Sequence, residues 1–106
     1  MGALVDQLGA EAVAYLVEVL AEDGALRVTD LQDQARRGDW VAVSTQAHAL
    51  KSSTGTFGLR GLRSGAEQIE HACRDGHGPH AAEAVGRLVS SFSPAIEALR
   101  QRVRRP

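Results

Sequence analysis

The chain has 106 residues, of which 43% are hydrophobic, and this size allows one domain with a single modest core but not two domains. Its formal net charge of −1 gives no strong field, so neither nucleic acid nor an acidic membrane surface is expected as a partner. One cysteine cannot form an internal disulfide, and no stretch resembles a signal peptide or a membrane span. We therefore expect a monomeric, cytoplasmic single domain over residues 1–106, with a frayed end at about 103–106.

Two amphipathic helical runs are predicted in the first third of the chain. The first extends from about Gly9 to Glu22 and is interrupted at Asp23-Gly24. The second ends at Gly38, in the position of a C-terminal cap. Asp39 then offers a side-chain oxygen to the free amides of the next helix.

That next helix carries His48 and ends near Gly55. Its inward-facing stripe at helical spacing consists of Trp40, Val43, Ala47, Leu50 and Thr54. His48 lies outside this stripe, and its neighbours one or two turns away are Ser44, Lys51, Ser52 and Gly55. The imidazole is therefore expected on an exposed helix face, among small residues and beside the chain's only lysine.

Two further helical runs complete the chain. One ends at about Arg74, and a loop with glycines and Pro79 leads into the last, longest run. Pro94 removes an amide inside that run, so a kink or break is predicted near 92–93. No segment alternates with period two, so the expected fold is an all-α antiparallel helical bundle.

The residues from Ala47 to Gly58 resemble the signature of the histidine-containing phosphotransfer (HPt) domain family, which is close to A-H-x-L-K-G-x-x-x-x-x-G. The resemblance extends from about Leu16 to Gly76. It departs at Ser52, where the family usually has glycine, and because serine is also small we expect the departure to be tolerated. The resemblance implies a four-helix bundle with a short additional N-terminal helix packed across one end.

The resemblance also implies a function in two-component signalling. His48 would accept a phosphoryl group from an aspartate of a response-regulator receiver domain, or from the kinase domain of a sensor histidine kinase, and pass it to another receiver. Lys51 would stabilise the charge of the phosphoryl group. Glu70, at the edge of the inner stripe of the following helix, would accept a hydrogen bond from Nδ1, orient the ring and leave Nε2 free.

The chain is expected to depend on its partner for metal and phosphoryl donor. It has no glycine-rich nucleotide loop and no set of carboxylates suited to Mg²⁺, so no cofactor of its own is predicted, and Mg²⁺ is expected on the receiver. It has no expected kinase or phosphatase activity of its own. The predicted partner docking surface consists of Ser44, Ser52, Gly55, Gly58, Arg60 and Arg63.

Two other interpretations remain open at this point. The chain could be a helical module that docks a receiver or kinase domain without chemistry. It could also bind a metal, since His71, Cys73, His77 and His80 are ligand types within a short span. Cys73 lies on the apolar stripe whereas His71 points away from it, so these residues could converge only if the helix unwound.

Overall fold

The computed structural model describes residues 9–104 and places them in four helices joined by short turns. The helices are α1 (Ala10–Arg36), α2 (Trp40–Thr56), α3 (Arg60–Arg74) and α4 (Gly78–Arg104). Helix α2 contacts α1 and α3, and α4 closes the bundle against the other sides of α1 and α3. The expected all-α four-helix bundle is confirmed. No separate short helix precedes the bundle within residues 9–104, because the run predicted from Gly9 to Glu22 is the first part of α1; residues 1–8 lie outside the described residues.

The three turns share one backbone conformation. A glycine with positive φ follows the end of each of the first three helices: Gly38 at 69°, Gly58 at 69° and Gly76 at 74°. After Gly38, the Asp39 amide donates to the carbonyl of Gln34 at 2.9 Å. A hydrogen bond from an amide to the carbonyl five residues earlier also closes each of the other two turns, at 2.9 and 3.0 Å. This pattern satisfies carbonyls at each helix end and requires a left-handed residue, a conformation that glycine adopts most easily. Turns this short make successive helices antiparallel.

Helix α2 begins at its predicted cap. Asp39 Oδ1 accepts a hydrogen bond from the Ala42 amide at 3.2 Å, which satisfies one of the free amides of the first turn. The Thr54 hydroxyl donates to the Leu50 carbonyl at 2.7 Å, so the one polar side chain of the inner face has its hydrogen bond. The predicted stripe is confirmed by complete or nearly complete burial of Val43, Ala47, Leu50 and Thr54.

Helix α1 continues through the dipeptide Asp23-Gly24, where an interruption was predicted. Gly24 is buried against Phe92 of α4, and a Cβ atom at this position would lie only 2.4 Å from the ring Cζ. Glycine at this point allows the backbone of α1 to approach the ring, and the packing outweighs a helix-propensity cost of about 1 kcal/mol. The predicted break is wrong because the glycine serves packing between helices.

Helix α4 likewise contains Pro94 without breaking. Proline inside a helix costs about 3 kcal/mol through one lost hydrogen bond and a steric clash. Phe92, Ile96 and Leu99 are buried on both sides of the proline, and this shared burial keeps both halves on one core. The helix extends to Arg104, and Val103 packs against the core where a frayed end was expected.

A single apolar cluster with contributions from all four helices forms the core. Its largest fully buried apolar side chains are Leu31, Leu50, Ile69, Leu99, Val13, Val17 and Val43. Each amphipathic helix buries its apolar stripe in this cluster, which is the main stabilising contribution in such a bundle. Within residues 9–104, no helix is long and apolar enough to cross a membrane.

Candidate functional site

His48 lies on the outer face of α2, at the groove that α2 forms with α3. Its side chain is 66% exposed, whereas Ala47 beside it is completely buried. The ring is thus supported from one side by the helix and open to approach from the other. The predicted exposed position of the histidine is confirmed.

Glu70 of α3 holds the ring of His48. Its Oε2 atom lies 3.1 Å from Nδ1, although the two residues belong to different helices. Only 7% of Glu70 is exposed, and its neighbour Ile69 is completely buried. The structure therefore places a carboxylate at the edge of the core, with Oε2 against the exposed imidazole.

The charge state of Glu70 determines which nitrogen of His48 carries the proton. Burial by itself would raise the pKa of the carboxyl group, but the close contacts with Lys51 and His48 and the charges of both side chains outweigh it and lower the pKa below its ordinary value. Glu70 is therefore ionised at neutral pH and can only accept hydrogen bonds. Nδ1 must carry the hydrogen, and the lone pair of Nε2 is left free.

Lys51 is the second partner of Glu70. Its Nζ atom lies 2.8 Å from Oε1, and 27% of its side chain is exposed. Oε1 is buried, so the ammonium of Lys51 at this distance is the partner that offsets the cost of burying the charge of this carboxylate oxygen. His48, Glu70 and Lys51, the three predicted site residues, lie together in this groove.

A groove of about 510 Å³ opens beside His48 toward the start of α2. Among its lining residues, Val41 is an apolar side chain that is 81% exposed. The sequence analysis did not identify this surface, although Val41 precedes His48 by two helical turns and shares its face. The complete lining is Trp40, Val41, Ser44, Thr45, His48, Glu70, Cys73 and Arg74.

The predicted docking residues lie in different hollows. Arg63 lines a hollow of about 370 Å³ together with Lys51, Ser52 and Gly55, adjacent to His48. Arg60 lines a separate hollow of about 380 Å³ with residues of α4 and the turn glycine Gly58. Arg63 thus lies in a hollow beside Lys51 and Ser52, next along α2 from His48, whereas Arg60 and Gly58 lie in a hollow that residues of α4 also line.

The residues considered as metal ligands do not form a group. Among residues 9–104, no three His, Cys, Asp or Glu side chains come close enough together to hold an ion. The rings of His77 and His80 are 5.5 Å apart, whereas Cys73 lines the groove beside His48. Burial and the charge of Glu70 raise the pKa of the Cys73 thiol, so it stays protonated at neutral pH and is a poor nucleophile.

Comparison with known proteins gives one match, to a protein family. A family model described as Hpt domain matches residues 15–105, which include all of α2, α3 and α4 and most of α1. No curated protein and no solved structure matches the chain significantly. The family match covers His48, Lys51 and Glu70, the residues that meet in the groove.

Proposed function

Because the chain belongs to the Hpt domain family and is therefore a histidine phosphotransfer module of two-component signalling, we propose that His48 is its phosphoacceptor. In this proposal His48 takes a phosphoryl group from an aspartyl phosphate of a receiver domain, or from a kinase domain, and passes it to another receiver. The observation that carries the proposal is the hydrogen bond between Nδ1 of an exposed histidine and a buried, ionised glutamate, which leaves Nε2 free.

The transfer requires no proton movement on the histidine. The Nε2 lone pair attacks phosphorus, the N–P bond forms, and the bond from phosphorus to the aspartate oxygen breaks with its electron pair on the departing carboxylate. Nδ1 keeps its hydrogen, so the phosphorylated ring carries a positive charge. The Glu70 carboxylate at 3.1 Å stabilises this charge, and in onward transfer the ring leaves as neutral imidazole.

Lys51 is proposed to contact the transferred phosphoryl group. Its ammonium lies one helical turn from His48 and forms an ion pair with Glu70. A lysine ammonium has three donors, so it can keep the contact with Glu70 while another N–H reaches a phosphoryl oxygen. Stabilisation of the oxygens of a transferring phosphoryl group is the usual requirement of such reactions.

The partner is proposed to dock on the groove around His48 and to supply Mg²⁺. The small residues Ser44, Ser52 and Gly55 leave the ring open, and Val41 adds apolar contact area on the same helix face. A receiver that brings an aspartate and a metal ion to this face completes a site of which this chain supplies the nucleophile. Arg63 belongs to this docking surface, whereas Arg60 and Gly58 face another hollow.

The test is phosphoryl transfer from receiver domains phosphorylated on aspartate, with Mg²⁺ present. Wild type should become labelled, and the label should be acid-labile and stable in alkali. His48→Gln should abolish labelling without unfolding the chain, since the side chain is 66% exposed. His71→Gln is the matched control, because that histidine is also exposed, at 59%, and should label like wild type.

Two results would contradict the proposal. The first is failure of every receiver and kinase domain tested to label wild type. The second is equal labelling of His48→Gln. Binding of a receiver with equal affinity to wild type and His48→Gln, with no phosphoryl uptake by either, would indicate a docking module without chemistry.

A further inference from the structure

A second contact between α2 and α3 lies two helical turns from the contact between His48 and Glu70. Seven residues along α2 from His48 is Gly55, and seven residues back along α3 from Glu70 is Arg63. Since the helices are antiparallel, both steps lead in the same direction, over about 10.5 Å at 1.5 Å per residue. The two pairs therefore lie on one groove.

Gly55 leaves space that the Arg63 side chain occupies. A Cβ atom at Gly55 would lie 3.3 Å from Arg63 Cδ and 3.5 Å from Nε. The first of these distances is shorter than an ordinary van der Waals contact. Gly55 lies inside α2 with ordinary helical φ, so no turn requires glycine here. The missing side chain instead lets the arginine lie across α2, in the same hollow as Lys51.

The polar groups of this hollow are donors, of which Lys51 already contacts Glu70, whereas Arg63 and Ser52 have no side-chain partner among residues 9–104. Arg63 has no ion pair among residues 9–104, and the nearby Glu67 lies 3.8 Å from His71. The hydroxyls of Ser53 and Thr54 donate to carbonyls of their own helix, whereas Ser52 shows no such bond within the described residues. Lys51, Ser52 and Arg63 thus present an ammonium, a hydroxyl and a guanidinium around a hollow that no carboxylate lines.

We propose that the hollow formed by Lys51, Ser52, Gly55 and Arg63 is a carboxylate-binding subsite for an acidic side chain of the receiver domain that docks on His48. A guanidinium binds a carboxylate through two parallel hydrogen bonds, and Ser52 adds a hydroxyl at the position where the family usually has glycine. Charge complementarity identifies the occupant, because a hollow lined by an ammonium, a hydroxyl and a guanidinium, and by no carboxylate, favours a carboxylate of the docked partner. Gly55 is then a positioning residue that acts through Arg63.

This subsite rests on the proposed function, since its occupant is the same receiver. The subsite differs from the phosphoacceptor site in its position, because it lies away from the atoms that react. At about two turns from His48, Arg63 contacts the partner and leaves the phosphoryl group to Lys51. Loss of Arg63 should therefore weaken docking and leave the reactivity of His48 unchanged.

The experiment compares Arg63→Ala with Arg60→Ala, a variant with the same charge change on the same helix but in the other hollow. The dissociation constant of a receiver domain should rise about tenfold for Arg63→Ala, the effect of one charge-assisted bidentate contact, and less than about twofold for Arg60→Ala. The salt dependence of binding should also weaken for Arg63→Ala alone. Labelling by phosphoramidate, a small phosphoryl donor that needs no docked protein, separates an effect on docking from an effect on the chemistry in both variants.

A double-mutant cycle then tests the role of Gly55. Gly55→Ala should weaken receiver binding in the wild-type background, but should add no further loss in the Arg63→Ala background. Its melting temperature should equal or exceed that of wild type, because alanine favours helix, so misfolding cannot explain weaker binding.

Several outcomes would overturn the subsite, and they are distinguishable from failure of the phosphoacceptor assignment. Equal receiver affinities of Arg63→Ala and Arg60→Ala, or an equal effect of Gly55→Ala in both backgrounds, would contradict it. Slower phosphoramidate labelling of Arg63→Ala would place the arginine in the chemistry instead. A receiver that binds wild type without labelling it contradicts the phosphoacceptor assignment, while its affinity for Arg63→Ala still decides the subsite. If no receiver binds wild type, both proposals are wrong.

Discussion

Helices α1 and α4 approach each other at Gly24, and helices α2 and α3 approach each other at Gly55. In both places a large side chain of the facing helix fills the space that the glycine leaves, Phe92 in the first and Arg63 in the second. Gly24 and Phe92 are buried, whereas Gly55 and Arg63 are exposed. The same substitution in the two glycines should therefore change different properties, stability in one and partner binding in the other.

The seam between α1 and α4 at Gly24 and the seam between α2 and α3 at Gly55 also differ in their ion pairs. Between α1 and α4, Glu18 and Arg100 are joined at 2.8 Å, and their side chains are 52% and 30% exposed. Between α2 and α3, the Glu70 side chain is only 9% exposed and pairs with Lys51 and the exposed His48. Exposed pairs contribute about 0–1 kcal/mol, whereas a buried carboxylate is costly unless its partners stay in place. The α2–α3 seam is thus the one in which charge is arranged around the exposed histidine.

The largest expected effect follows from removal of the charge of Glu70. Glu70→Gln keeps an oxygen that can accept from Nδ1 but loses the charge that stabilises the phosphorylated ring. Hydrogen bonds to charged groups contribute about 1.5–3 kcal/mol, so phosphoryl transfer to His48 should slow between about tenfold and a hundredfold. The measurement is the rate of labelling at saturating receiver. Glu67→Gln, at an exposed position one turn earlier on α3, should label at the wild-type rate, and equal rates for both variants would contradict the role of Glu70.

The next effect concerns stability at the other seam. Gly24→Ala places a Cβ atom against the buried ring of Phe92, and overpacking of this kind costs about 1–3 kcal/mol in free energy of unfolding. Urea denaturation of wild type and Gly24→Ala measures this difference in free energy of unfolding. Gly86→Ala is the matched control, since a Cβ at this helical glycine meets nothing within 4 Å, and it should be neutral or stabilising.

Two further results sharpen the comparison at Gly24. Phe92→Leu should restore part of the stability lost in Gly24→Ala, because the shorter side chain relieves the overlap. Gly24→Ala should also label at His48 like wild type under conditions where it is folded. Equal stability of Gly24→Ala and Gly86→Ala would show that the α1–α4 contact does not need glycine.

The smallest expected effect is on the pH dependence of stability. The pKa of Glu70 is lowered in the folded chain relative to its ordinary value of 4.5, so its stabilisation is complete above about that pH and is lost as the pH falls through the lower native value. The melting temperature of wild type should therefore fall more steeply than that of Glu70→Gln in this acid range. Glu18→Gln, which removes the exposed carboxylate of the other seam, should flatten the profile less. Parallel profiles of wild type and Glu70→Gln would contradict this linkage.

Helical periodicity was sufficient to predict the α2 stripe and the exposure of His48, because these depend on the local spacing of apolar residues. The contact between His48 and Glu70 joins residues 22 positions apart, and it was expected from the family resemblance rather than from spacing. Its chemical consequence, an ionised carboxylate that fixes the proton on Nδ1, depends on the contacts of Glu70 with Lys51 and His48, which outweigh the effect of burial on its pKa.

The errors of sequence reasoning have a common physical origin. Gly24 and Pro94 disfavour helix locally, and both lie inside helices because the faces on either side of them are buried in one core. Arg60 and Arg63 look equivalent as cations beyond a turn, but residues of α4 line the hollow of Arg60 and residues of α2 line the hollow of Arg63. The positions of Gly24, Pro94 and the two arginines depend on contacts between helices. The exposed Val41 was overlooked although helical periodicity already places it on the face of His48.

The most direct test of the central claim is phosphorus NMR of the phosphorylated chain. The account predicts one phosphohistidine signal with the chemical shift of an Nε2 adduct, present in wild type and absent from His48→Gln. It follows from the contact of Nδ1 with Glu70, which leaves only Nε2 open to the donor. A signal from an Nδ1 adduct, or a phosphohistidine signal that persists in His48→Gln, would contradict it.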